Sequence, residues 1–87
     1  MPYFVYMLKT VNKSKIRTYV GYTNNLVSRL EKHNSNKGAK FTKGFKWKII
    51  YKKKFLNKSD AMSYEYKLKK DRKKRSSIIK IYNESKV

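Results

Sequence analysis

The sequence predicts an α+β domain of order β-β-α-β-α-α, a three-stranded, mainly antiparallel sheet flanked by helices. Three observations predict it. Aromatic and β-branched residues gather in three segments of strand length, at 3–10, 16–22 and 47–55. Clusters of Asn, Asp, Ser and Thr then precede apolar residues at helical spacing near 23–33, 57–68 and 76–82. Finally, 87 residues have room for one core and no second, so 1–87 is read as a single domain.

Each element has its own reason. Residues 3–10, Tyr-Phe-Val-Tyr-Met-Leu-Lys-Thr, follow Pro2 and read as a strand. Polar residues 12–15 make a turn, and 16–22, Ile-Arg-Thr-Tyr-Val-Gly-Tyr, form the second strand. So short a connection implies an antiparallel hairpin. Thr23, Asn24 and Asn25 supply N-cap chemistry for a helix whose apolar stripe is Leu26, Val27 and Leu30. Residues 34–45, with Gly38, Gly44 and several lysines, argue for an exposed loop. Trp47 to Phe55 alternates loosely and gives the third strand. Asn57 to Asp60 is a second cap cluster, with Ser59 the best N-cap, and Ala61, Glu65 and Leu68 share one stripe of the helix that follows. Ser76 or Ser77 caps a last helix packed through Ile78, Ile79 and Tyr82. The dense charge run Lys67 to Arg75 falls between these helices.

Composition narrows the function. Hydrophobic residues are only 39% of the chain, but eight Tyr, four Phe and one Trp each bury a large area. The balance of 24 Lys and Arg against 5 Asp and Glu gives a net charge of +19. Such a field attracts polyanions, and nucleic acid is the favoured partner because neutralising phosphates releases counterions. A membrane surface is disfavoured, since no basic segment has the continuous apolar face of an interfacial helix. The absence of cysteine excludes disulfides, thiolate zinc sites and cysteine nucleophiles. With no apolar run of spanning length and no signal-peptide core, an intracellular, cytoplasmic protein is expected.

Four features bear on chemistry. Glu65 lies on the stripe of Ala61 and Leu68, where a carboxylate needs a cation or a hydrogen-bond partner. A salt bridge to one of many lysines satisfies it as well as a hard divalent metal does. Arg29 and His33 stand one helical turn apart, fit for a phosphate fork and a proton carrier, although a solvated helix face looks the same. Tyr6 and Tyr19 fall on the two strands of the hairpin, where ordinary aromatic packing is the plainer reading. Gly21 in a strand interior marks close approach of a ligand or another backbone. The loop from Lys37 to Gly44 offers ammonium groups and backbone N–H groups to phosphates but is no Walker A loop, because Phe45 follows Gly44.

Together these pieces resemble the GIY-YIG nuclease superfamily over roughly residues 3–82. Phe4-Val5-Tyr6 is similar to the Gly-Ile-Tyr motif and Tyr19-Val20-Gly21 to the Tyr-Ile-Gly motif. Tyr22 to Asn25, running into Arg29 and His33, resembles the stretch from Gly-x-Thr to Arg-x-x-x-His. Gly38-Ala39-Lys40-Phe41-Thr42 looks like a signature of the small stand-alone bacterial members, and Ala61, Glu65 and Leu68 like their late helix. Some family nucleases carry a further late Asn near the metal, and Asn83 is the one late candidate.

The resemblance implies an endonuclease that uses Mg²⁺ or Mn²⁺ and cuts DNA, rather than RNA, with little sequence preference, in repair or in processing unusual DNA structures. It implies Tyr6 as general base helped by Tyr19, Arg29 on the phosphate, His33 as proton relay or phosphate ligand, and Glu65 as metal ligand. A tyrosine base needs nearby positive charge to lower a pKa near 10. Lys37, Lys40, Thr42 and Lys43 are expected to contact nucleic acid. The competing reading is a non-catalytic basic nucleic-acid-binding module, or a subunit whose partner supplies targeting.

Overall fold

A computed structural model describes residues 1–11 and 14–85. Its elements are β1 (Tyr3–Thr10), β2 (Thr18–Thr23), α1 (Leu26–Asn34), a 3-10 turn (Lys40–Thr42), β3 (Trp47–Phe55), α2 (Lys58–Lys70) and α3 (Arg72–Glu84). The strands form the three-stranded sheet that the sequence predicts, in the order β2-β1-β3, with both pairings antiparallel. Of the turn expected at 12–15, residues 12 and 13 lie outside the described residues. The second strand starts at Thr18 rather than 16, and Ile16 is half-exposed.

β1 is the central strand, so both its faces must be covered. Val5 and Met7 point to one side and pack with Val20, Ala61, Leu68 and Ile78 under α2 and α3. Tyr6 and Leu8 point to the other, where Trp47, Leu26, Leu30 and Ile49 meet them under α1. Each fully buried large side chain contributes roughly 1.5–3 kcal/mol, and β1 alone supplies four. The loose alternation of β3 has a cause. Leu8 pairs with Ile49 but Met7 with Tyr51, a β-bulge that adds Ile50. Trp47 and Ile49 therefore face α1, whereas Tyr51 and Phe55 face α2 and α3.

Several helix boundaries differ from expectation. Asn57, not Ser59, caps α2: its backbone is extended and its Oδ1 accepts from the N–H of Asp60 at 2.8 Å. Asp71, not Ser76 or Ser77, caps α3, accepting from the N–H of Lys74 at 3.0 Å. The charge run Lys67 to Arg75 is thus helical on both sides of Asp71. Arg75 binds it together by donating to the terminal carbonyls of α2 at Leu68 and Lys69. On α1, capped by Asn25 as expected, Val27 turns outward at 71% exposure while Leu26 and Leu30 pack inward. No helix among the described residues is long and apolar enough to cross a membrane.

Candidate active site

The α1 side of the sheet carries a polar cluster within its apolar packing. Tyr6 and Gly21 are directly paired across β1 and β2, and Tyr19 stands two residues along on the same face. A Cβ at Gly21 would lie 2.5 Å from Tyr6 Oη and 3.1 Å from Cε2 of Tyr19. What comes close at this glycine is the Tyr6 phenol, a side chain rather than the ligand or second backbone expected. α1 brings Arg29 and His33 over the same spot. Tyr6 Oη lies 2.9 Å from His33 Nε2. The ring centroids of Tyr19 and His33 are 5.1 Å apart, and those of Tyr6 and Tyr19 6.5 Å.

The segment 34–45, expected to be an exposed loop, is anchored from its start. Asn34 pairs with Trp47 like a strand neighbour, accepting from its N–H at 2.6 Å and donating to its carbonyl at 3.1 Å. Asn36 Oδ1 accepts from the N–H of Gly44 at 2.8 Å. These ties fold Thr42 inward. Thr42 is fully buried, with Oγ1 2.9 Å from His33 Nδ1 and 2.8 Å from the carbonyl of Ala39. Its carbonyl accepts from the indole N–H of Trp47 at 2.9 Å. Thr42 therefore lies out of reach of nucleic acid, and its expected contact there is corrected. Lys37, Lys40 and Lys43 of the same segment are exposed. Gly38 presses on the imidazole, since a Cβ there would collide with His33.

Burial sets the electrostatics. Tyr6 is 2% exposed, and this desolvation pushes its phenol up to about 12. Hydrogen bonding from Arg29 pulls the other way without prevailing, while Tyr19 and Glu65 add to the rise. The lowering that a tyrosine base requires is thus not achieved by Arg29. Burial, then the charge of Arg29, holds His33 below the ordinary imidazole value of 6.5 and keeps it neutral. Arg29 rests against both tyrosines and is raised chiefly by its hydrogen bond to Tyr6, so it stays cationic. Its Nε is buried without a hydrogen-bond partner.

Glu65 arrives from α2, which packs on the opposite face of the sheet, and its charge is felt at Tyr6. Its side chain is 16% exposed and Oε1 lies 3.3 Å from Lys69 Nζ, the lysine partner foreseen as one of two readings. With Lys69 half-exposed, a single i,i+4 pair of this kind is worth no more than about 1 kcal/mol, so it opposes a stronger cation only weakly. Among the described residues no group of three or more His, Cys, Asp or Glu converges. A single carboxylate completed by waters and phosphate oxygens is a pattern Mg²⁺ accepts, so Glu65 fits that ion as its one protein ligand. Asn83 lies on the α2–α3 side, where its Oδ1 accepts from Lys9 Nζ at 3.3 Å.

Comparison with known proteins shows the family and the fold. The family profile of the GIY-YIG catalytic domain matches residues 2–82. The UPF0213 protein OB0043 of Oceanobacillus iheyensis is 47% identical over 68 residues, covering 77% of this chain and 76% of its own. The UPF0213 protein YsiG of Lactococcus lactis is 46% identical over 81 residues, covering 90% and 75%. The solution NMR structure of the UPF0213 protein BH0048 from Bacillus halodurans superposes with a TM-score of 0.50 at 34% identity, covering 93% of this chain and 85% of that one.

Proposed function

The chain belongs to the GIY-YIG catalytic domain family, and from that premise we propose that it is a metal-dependent endonuclease hydrolysing phosphodiester bonds of DNA with little sequence preference. The observation that carries the reading is the contact of Tyr6 Oη with His33 Nε2 at 2.9 Å, beside a permanently charged Arg29. A buried phenol held near 12 is a poor base alone but a good relay. The hydroxyl donates to Nε2, which leaves an oxygen lone pair free to accept a proton from an attacking water. As the water oxygen bonds to phosphorus, its proton passes to Tyr6 Oη and the phenol proton to His33 Nε2. The bond to the leaving oxygen breaks, and that oxygen is protonated from solvent. No free phenolate forms.

Arg29 stabilises the charge gathering on the phosphate, and a phosphate oxygen is the acceptor a guanidinium fits best. Tyr19 lines the same place and fixes the ring of His33 by contact. Glu65 would hold Mg²⁺ or Mn²⁺, which supplies polarisation of the phosphate and charge stabilisation at the leaving oxygen. Lys37, Lys40 and Lys43 supply exposed positive charge to the DNA backbone. A place in repair or in processing unusual DNA structures suits a domain without strong base readout.

The Glu65–Lys69 ion pair favours a second reading, a non-catalytic basic module in which the carboxylate is merely satisfied. The test is a cleavage panel of single-stranded, duplex, flap and four-way DNA, and matching RNA, with Mg²⁺, Mn²⁺ or chelator. Metal-dependent cutting that Tyr6→Phe, Arg29→Ala and Glu65→Ala each abolish, with binding retained, is the expected result. Protein that binds but never cuts leaves the binding module standing.

A further inference from the structure

Thr42 sits where His33 can be held in one tautomer, and the direction of every hydrogen bond around it follows from counting protons. A threonine hydroxyl has one proton and two lone pairs. Thr42 Oγ1 has two close partners, the carbonyl of Ala39 at 2.8 Å and His33 Nδ1 at 2.9 Å. A carbonyl oxygen can only accept, so the hydroxyl proton goes to Ala39. Toward His33, Oγ1 is then an acceptor, and Nδ1 must carry the proton. Nε2 of the neutral ring is left with its lone pair directed at Tyr6, whose hydroxyl donates to it at 2.9 Å. The chain of donation runs from Tyr6 to His33, to Thr42, to the backbone of Ala39, with the three side chains at most 2% exposed.

We propose that Thr42 is a positioning residue that fixes His33 in its Nδ1–H tautomer, so that Nε2 stands ready to receive the Tyr6 proton, with Gly38 admitting the ring to this position. The catalytic consequence rests on the nuclease reading above; the tautomer does not. Without the Thr42 oxygen, an Nδ1–H would be a buried donor lacking an acceptor, a state a protein avoids. The proton moves to Nε2 instead, where it points at Tyr6 and closes the relay. The other groups facing the ring are Tyr19 and the Arg29 charge, and neither offers Nδ1 a comparable acceptor.

This is the only histidine among the 87 residues, so its two ring nitrogens can be read directly by two-bond ¹H–¹⁵N NMR of the ¹⁵N-labelled chain. The wild type at neutral pH is expected to show a protonated Nδ1 and a pyridine-like Nε2. Thr42→Val is expected to invert that pattern and Thr42→Ser to keep it. Thr42→Cys, close in volume but a poor acceptor, gives the same readout should the valine variant not fold. In cleavage assays the valine variant is expected to lose kcat on the order of 100-fold, the scale of a displaced acid–base group, with KM unchanged and serine restoring most of the rate. An Nε2–H wild type, or a valine variant with the wild-type tautomer, overturns the proposal. So does a loss confined to KM, which a phosphate contact would give. A protein with the expected spectra and no cleavage on any substrate overturns the nuclease reading and leaves the tautomer lock intact.

Discussion

At Tyr6, two physical effects oppose each other and the stronger decides the mechanism. Arg29 favours the phenolate, but burial outweighs it and the phenol titrates at about 12. A mechanism using free phenolate would therefore gain about tenfold in rate per pH unit through the whole alkaline range. The relay requires only neutral His33 and protonated Tyr6. Because burial and then the Arg29 charge lower His33, its protonation is displaced to the acid side of an ordinary imidazole's. The expected kcat profile, measured from about pH 5 to about pH 9.5, is a plateau through neutral and alkaline pH with a fall on the acid side alone. A continuous alkaline rise would return the base role to Tyr6 by itself. Gly21 offers a second check on the same residue. Its missing Cβ makes room for the phenol, so Gly21→Ala must push Tyr6 off His33 or shift the strand. Overpacking of this kind costs about 1–3 kcal/mol. Urea unfolding should show that loss, and cleavage should fall further than stability accounts for.

Caps dominate at the level of elements. Asn57 and Asp71 each satisfy a helix N-terminus, so Asn57→Ala and Asp71→Ala should each lower stability by about 1 kcal/mol. Ser59→Ala and Ser76→Ala, inside their helices, should fall within roughly 0.5 kcal/mol of wild type in urea titrations. Equal losses at the serines would contradict these boundaries. The misplaced caps show what sequence patterning conveys. Strand positions are legible because β1 carries an unbroken apolar run from Tyr3 to Leu8 and β3 spreads Trp47, Ile49, Ile50, Tyr51 and Phe55 over a strand's length, and α1 because Asn25 is followed at once by its inward Leu26 and Leu30. The start of α3 was not, because the pattern begins only at Ile78, while the first turns are Lys and Arg that a helix tolerates as readily as a loop does. The bulge between Ile49 and Tyr51 was hidden for a related reason: one added residue changes faces without changing composition. In the candidate site, Arg29 and His33 are legible from helical spacing, and Tyr6 and Tyr19 only through the family motifs. Thr42 reads from the sequence as a motif member and a nucleic-acid contact, not as the partner of His33. That contact joins a helix end to a 3-10 turn and leaves no periodic trace, and a small polar residue among glycines and lysines reads as surface.

Across the whole molecule, a charge of +19 is carried on a body of 36 × 28 × 23 Å, small enough that most charges lie within a few Debye lengths of one another. The field therefore acts on a polyanion collectively, whereas the chemistry depends on a few buried atoms. The densest contribution is the corner where α2 meets α3, which exposes Lys67, Lys70, Arg72, Lys73 and Lys74. None of these belongs to the cluster around Tyr6, so binding and catalysis should be separable by substitution. Lys73→Glu combined with Lys74→Glu leaves the Asp71 cap in place, since the cap uses the backbone N–H of Lys74. Each lysine that neutralises a phosphate contributes about 0.9 to the slope of log K against log salt on duplex DNA. The double variant should thus bind more weakly on every sequence, with a shallower slope and an unchanged rate at saturating substrate. Glu65→Ala should do the opposite, keeping the salt slope and losing the rate. Measuring both slopes and both saturated rates with one duplex tests the separation. If the corner variant lost rate at saturation, this basic surface would have to orient the substrate as well as attract it.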